Sequence, residues 1–397
     1  RYLESRVLIF ASLGHYTNHL VMLLYATVVL GLEGEFDRSY GELLSLSLPA
    51  FVLYGLGSLP AGWLGDRFGA RRMLILYFVG TGAGAAMVGM APTPFWIASG
   101  LGVLGMFAAI YHPVGFGWLI RHATRRGRAL GYNAVAGSLG MASAPLFAGW
   151  LTTHFDWRAA FIVPGAAIAL VGLALWLVVP PDAPALDERA RRAATRPSLD
   201  MAAVRLFAVI CAFLVGASLI YNAISIGMPK LFAERVSSSD SVLETANLVL
   251  VVYLVAGGSQ ILGGHLVDRL PHRTVLISGY ALMVPCLVLA ATADGWTLVA
   301  ALAMVLAIIL GTQPAIDSIV AHHAPPEWRA TAYGIRFVVS LSASSASIPL
   351  VGRVYDSTGS FYWVYLPLAA LAAFVLCVGF FLPRLREATE RRMAAAQ

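Results

Sequence analysis

Two histidines four residues apart, His15 and His19, stand with Asn18 in an otherwise apolar run. In a helix that spacing puts both imidazoles on one face. Three kinds of chemistry then compete: chelation of a transition metal, proton-linked binding of an anionic solute, because imidazole changes charge between about pH 5 and 8, or a structural bond to a neighbouring carbonyl. Two imidazoles without a nearby cysteine, methionine run or carboxylate make an incomplete metal site, so neither a metal nor a cofactor is expected. His112, Asp317 and Arg336 are the other ionisable residues within long apolar runs, Asp317 near the end of its run and Arg336 a turn or so into the next. Asp317 and Arg336 are expected at similar depth on antiparallel neighbours, where they read as an ion pair, either purely structural or coupled to opening. Tyr16, Tyr54, Tyr111, Asn133, Tyr221, Asn222 and Gln313 supply further polar groups for a cavity wall.

The elements that carry these residues follow from composition. Of the 397 residues, 59% are hydrophobic and 12% charged, which excludes a soluble enzyme of this size. Apolar stretches long enough for a bilayer fall near residues 7–31, 43–64, 73–91, 95–119, 129–153 and 160–180, then 204–228, 246–267, 274–293, 296–321, 332–352 and 361–383. The first run is too long for the apolar part of a cleaved leader. The expected fold is therefore all-α and integral to the membrane, with twelve transmembrane helices in two pseudo-symmetric six-helix bundles. Residues 1–180 form the first bundle, 181–203 a polar cytoplasmic linker, 204–383 the second bundle and 384–397 a cytoplasmic tail.

Charge sets the topology. With the N-terminus inside, twenty-one cations fall on the cytoplasmic face and five on the other, so both termini are expected in the cytoplasm of a multi-pass inner-membrane protein. The basic balance reflects this bias and gives no reason to expect nucleic acid as a partner. Cys211, Cys286 and Cys377 all lie in apolar runs and read as small buried hydrophobes.

The two halves repeat each other. Gly62, Asp66, Arg67, Gly69, Arg71 and Arg72 form a short basic loop that recurs as Gly264, Asp268, Arg269 and Arg273, at an offset of 202 residues. Pro164 and Pro367 match at an offset of 203, and Pro113 and Pro314 at 201. Such a duplication suits a transporter with its site at the repeat interface. Asn18 and Asn222 occupy nearly equivalent positions in it, which fits either a shared site or ordinary asparagines bonded across packed helices. In the loop, the glycines let helices approach closely, Asp66 can accept hydrogen bonds from a helix N-terminus in the other half, and the arginines hold that end in the headgroup layer.

On that loop and its copy, the chain resembles the major facilitator superfamily. The resemblance implies alternating access, with Asp66 steadying the outward-facing state. Gly140, Ala144, Pro145, Ala148 and Gly149 are similar to the helix 5 motif of antiporters in that superfamily. Gly14-His15-Tyr16-Thr17-Asn18-His19 and Tyr111-His112-Pro113-Val114-Gly115 resemble the fosmidomycin-resistance-like, drug-efflux subgroup, although His19 and Val114 stand where that subgroup has carboxylates. The expected function is secondary transport of a small anionic organic solute, as proton-linked efflux by a monomer in the lipid bilayer. Uptake of an organic anion or metal chelate is the alternative within transport. A lipid-modifying membrane enzyme and a non-transporting sensor are the alternatives outside it, and the enzyme lacks the carboxylate pairs or His/Asp cluster it would need.

Overall fold

The computed structural model describes residues 2–181, 201–238, 241–323 and 329–382. Among them the elements are α1 (Tyr2–Val28), the short α2 (Glu33–Phe36) and α3 (Tyr40–Ser45), α4 (Leu48–Phe68), α5 (Ala70–Gly89), α6 (Pro94–Ala108), α7 (Tyr111–His122), α8 (Arg126–His154) and α9 (Ala159–Val178). The second half contains α10 (Met201–Arg235), α11 (Val242–Arg269), α12 (His272–Thr292), α13 (Gly295–His323), α14 (Arg329–Ser345), α15 (Ser347–Thr358) and α16 (Tyr362–Gly379). Eleven helical stretches are long and apolar enough to cross a membrane, α6 and α7 together making one of them.

The remaining membrane element is α14 with α15, expected as one helix over 332–352 and found broken at Ala346. Its sequence explains the break. Ser344, Ser345 and Ser347 turn their hydroxyls back onto the carbonyls of Ser340, Ser342 and Ser344, and Pro349 lacks the N–H that would bond the Ser345 carbonyl. Other ends also differ from the hydropathy reading, because amphipathic first and last turns continue a helix past its apolar stretch. Thus α10 runs on to Arg235 and α8 begins at Arg126.

Packing repeats between the halves. In the first half α1 lies on α8, α4 on α6, and α5 on α9; in the second, α10 lies on α14, α11 on α13, and α12 on α16. The two bundles meet where α8 packs on α11 and α4 on α14, with α1 also touching α10. The halves therefore share one internal architecture and face each other through small and polar residues, as in the bond from Gln260 Nε2 to Ser138 Oγ at 2.8 Å. Large apolar side chains such as Leu56, Leu59, Leu170, Leu177 and Phe374 are exposed. In lipid that exposure carries no cost, so the fold spends its apolar residues outward as well as inward.

Candidate functional site

His15 and His19 project from α1, and α7 brings His112 against them. The three rings form one cluster: the centroids of His15 and His19 are 4.9 Å apart, those of His15 and His112 5.6 Å, and those of His19 and His112 5.7 Å. One ligand nitrogen from each lies within 4.8 Å of the other two. His15 and His112 are buried and His19 half-buried, so the cluster faces the protein interior rather than lipid. Tyr111 stacks on His15 at 5.4 Å and Phe116 on His112 at 5.8 Å. Behind His15, a Cβ on Gly137 would fall 2.6 Å from the imidazole Cε1, so a residue without a side chain lets the ring reach α8.

Hydrogen bonds fix which nitrogens carry protons. His15 Nδ1 lies 2.7 Å from the Asn133 carbonyl, which can only accept, so Nδ1 carries the proton. Asn18 donates its Nδ2 to the Ala108 carbonyl at 2.9 Å, which turns its oxygen toward Tyr54. Tyr54 spends its single hydroxyl proton on that oxygen at 2.6 Å and must accept from His112 Nδ1 at 3.0 Å. In their neutral forms both His15 and His112 therefore keep Nε2 as the lone-pair nitrogen. His19 Nε2 approaches His15 Nε2 to 3.1 Å. Asn133 also donates its side-chain amide to Tyr111, whose hydroxyl bonds the Ala11 carbonyl.

The remaining residues singled out in the sequence separate into distinct places. Asn222 donates to the Ser344 carbonyl at 2.8 Å and also bonds Ser347 Oγ, tying α10 to the break between α14 and α15. Asn18 and Asn222 thus each bond neighbouring helices of their own half. Tyr221 donates to Met141 Sδ at 2.9 Å across the halves, and Tyr16 accepts from Ser143 Oγ. Gln313 and Asp317 are half-buried on one face of α13. The side chain of Arg336 lies outside the described residues, as do most of the linker, residue 383 and the tail at 384–397.

In the repeated loop, Asp66, Arg67, Arg72, Asp268 and Arg269 are exposed. Arg67 lies over the Trp63 ring and Arg273 over that of Phe380. Gly69 takes a φ of 89° at the turn between α4 and α5. Gly264 and Asp268 help line a cavity of about 470 Å³ with Gln260, His265, Pro314 and Ser318, a lining that does not include His15, His19 or His112. Arg71 departs from the expectation of a headgroup anchor. It is buried, and it donates Nε to the Val179 carbonyl at 2.6 Å and a terminal nitrogen to the Trp176 carbonyl, where Arg6 also bonds Val178. The last carbonyls of α9 have no partner within their own helix, so a cation placed there satisfies them and complements the helix dipole. Arg71→Ala is expected to remove about 2 to 3 kcal/mol of such bonding and to lower the thermal midpoint in detergent by several degrees. An unchanged midpoint would show that these bonds add nothing.

Sequence reasoning missed a latch between the halves. Asp356 at the end of α15 accepts from Ser39 Oγ at 2.6 Å and from the Gly41 N–H at 2.9 Å, both at the start of α3. Lys230 pairs with Glu33 at 2.9 Å and lies between the rings of Tyr40 and Tyr355. The Tyr40 hydroxyl donates to the Ile226 carbonyl. The one available signal was that Lys230 is the single lysine of the chain.

The Major Facilitator Superfamily matches by its sequence model over residues 8–347 and 236–396. The chain belongs to that superfamily. It is a multi-pass membrane protein. Its relatives include the "Multidrug resistance protein B homolog" of Mycobacterium tuberculosis, 33% identical over 170 residues, which are 41% of this chain and 31% of that protein. The chain thus spans about a third of that relative's length. The "Probable nitrate/nitrite transporter NarK2" of the same species is 28% identical over 377 residues, covering 87% of this chain and 90% of that one. Among solved structures, a bacterial homolog of the human lysosomal transporter Spinster, in an inward-facing and occupied conformation, superposes with a TM-score of 0.74 at 16% identity over 96% of this chain and 95% of that one. In this superfamily member the imidazole cluster lies wholly in the first half, on α1 and α7.

Proposed function

We propose that the chain exports a small organic anion across the inner membrane by alternating access, in exchange for a proton carried by Asp317. The observation that carries this reading is the position of that carboxylate. Asp317 is half-buried and more than a turn inside a membrane-length helix, whereas every other described carboxylate lies in a connection or within three residues of a helix end. An ionised group costs on the order of 2.5 to 3.5 kcal/mol at a helix centre; Asp317, six residues from the end of α13, bears part of that cost, and protonation removes it. A carboxylate that is charged in one access state and protonated in the other links proton movement to the conformational cycle.

An anionic solute is supported by the sequence inventory of the membrane helices, in which Arg336 and the N–H donors of His15, His19 and His112 stand against one carboxylate. Likeness over most of the length to a protein named for nitrate and nitrite points the same way, and the multidrug relative supports export. The residues proposed to meet the solute are Tyr16, Tyr221, Gln313 and the three imidazoles. The loops with Asp66 and Asp268 gate its cytoplasmic side, and both termini lie on that side.

Purified protein in proteoliposomes, loaded acidic inside and presented with labelled small phosphonates and carboxylates, tests the reading. Exchange for protons predicts accumulation in the acidic lumen that a protonophore abolishes. Accumulation only in vesicles alkaline inside would instead establish uptake by symport, and gradient-independent equilibration would establish uniport.

A further inference from the structure

We propose that His15, His19 and His112 form a three-imidazole binding site for a divalent transition-metal ion of the zinc, nickel, cobalt and copper class. The sequence supplied only two ligands four residues apart, and the fold adds the third from α7. Three geometric facts carry the inference. First, His15 Nε2 and His19 Nε2 are 3.1 Å apart, close to the edge of about 3.3 Å that two nitrogens span around a tetrahedral ion with metal–nitrogen bonds of ~2.0 to 2.1 Å. Second, a ligand nitrogen of His112 lies within 4.8 Å of both, so the fold brings a third imidazole to the same point.

Third, the outer bonds are those that metal-ligating imidazoles use. His15 gives its Nδ1–H to a backbone carbonyl and His112 gives its own to Tyr54, which Asn18 holds in place. Each bond selects the tautomer whose Nε2 lone pair can bind a metal, and each resists ring rotation. Tyr111 and Phe116 stack against two of the rings and fix their planes. An organised ligand set of this kind loses little conformational freedom when the ion enters. A hydrogen bond between His15 and His19 alone would not require the third ring or its Tyr54–Asn18 support.

Imidazole without thiolate or carboxylate excludes calcium and magnesium, which prefer oxygen ligands, and selects borderline metals. Three neutral ligands leave the ion its full charge and a fourth position for water or an anionic oxygen. That open position is suited to the anionic solute proposed above, but metal binding itself does not rest on transport.

The test uses tag-free, full-length protein in detergent, stripped with a chelator and titrated with cobalt(II) for visible absorption and with zinc(II) in a calorimeter. Wild-type protein is expected to bind one ion per chain, with the intense visible bands of four-coordinate cobalt. His19→Gln and His112→Gln should each weaken binding by about 100-fold or more. Tyr54→Phe, which touches no metal, should weaken it roughly 10- to 100-fold through loss of the outer bond. Gel filtration and circular dichroism establish that each variant is folded. His322→Gln with His323→Gln should leave the affinity unchanged. Absence of saturable cobalt bands up to millimolar metal would overturn the proposal. So would bands that survive the His19→Gln, His112→Gln double variant. Loss of flux in the proteoliposome assay with metal binding intact would overturn only the transport reading.

Discussion

Asp317→Asn is expected to abolish gradient-driven accumulation while leaving downhill exchange of the solute. Asparagine has nearly the shape of aspartate and keeps an acceptor oxygen, but it cannot take up a proton in this range. If one proton moves per solute, a gradient of one pH unit supports about a tenfold accumulation. In the variant that ratio should fall to one, with solute affinity within a few-fold of wild type. Asp317→Glu keeps the titrating group on a longer stem and should retain accumulation at a lower rate. Acid-driven accumulation that persists in Asp317→Asn would move the proton to another group.

The second large effect is expected at the latch. Asp356→Ala removes a carboxylate that accepts one hydroxyl and one backbone N–H from the opposite half. Bonds to a charged group contribute about 1.5 to 3 kcal/mol each when shielded, but Asp356 is exposed, and solvent screening reduces the pair to about 2 kcal/mol. That shifts the ratio of open to closed conformers at this end by about thirtyfold. Spin labels introduced as Arg38→Cys and Ser357→Cys, in a background with Cys211, Cys286 and Cys377 replaced, should show the long-distance population grow. Lys230→Met, which breaks the pair with Glu33, should move it in the same direction. Identical distance distributions in wild type and Asp356→Ala would show that these contacts do not hold the end shut.

Much of the architecture was legible in the sequence, for a physical reason. Lipid requires each crossing segment to satisfy its own backbone within one helix, so span length appears as an uninterrupted apolar run. The duplication was legible because each half repeats its turn residues. The break at Ala346 was harder to see: apolarity averaged over a window does not register serine hydroxyls turning back onto the previous turn. Arg71 was read as a headgroup anchor because its type and neighbours fit one, whereas its buried position depends on where α9 ends.

The sequence by itself determined the membrane class, the paired bundles and the placement of His15 and His19 on one helix face, since these depend on local periodicity. Only the tertiary structure decided that His112 joins them, that the Asn133 carbonyl and Tyr54 orient two of the rings, and that Asp356 reaches Ser39 and Gly41. Helical spacing fixes neighbours within a turn or two. Contacts between distant helices follow from how whole faces pack, and a backbone carbonyl used as a partner leaves no mark on residue type.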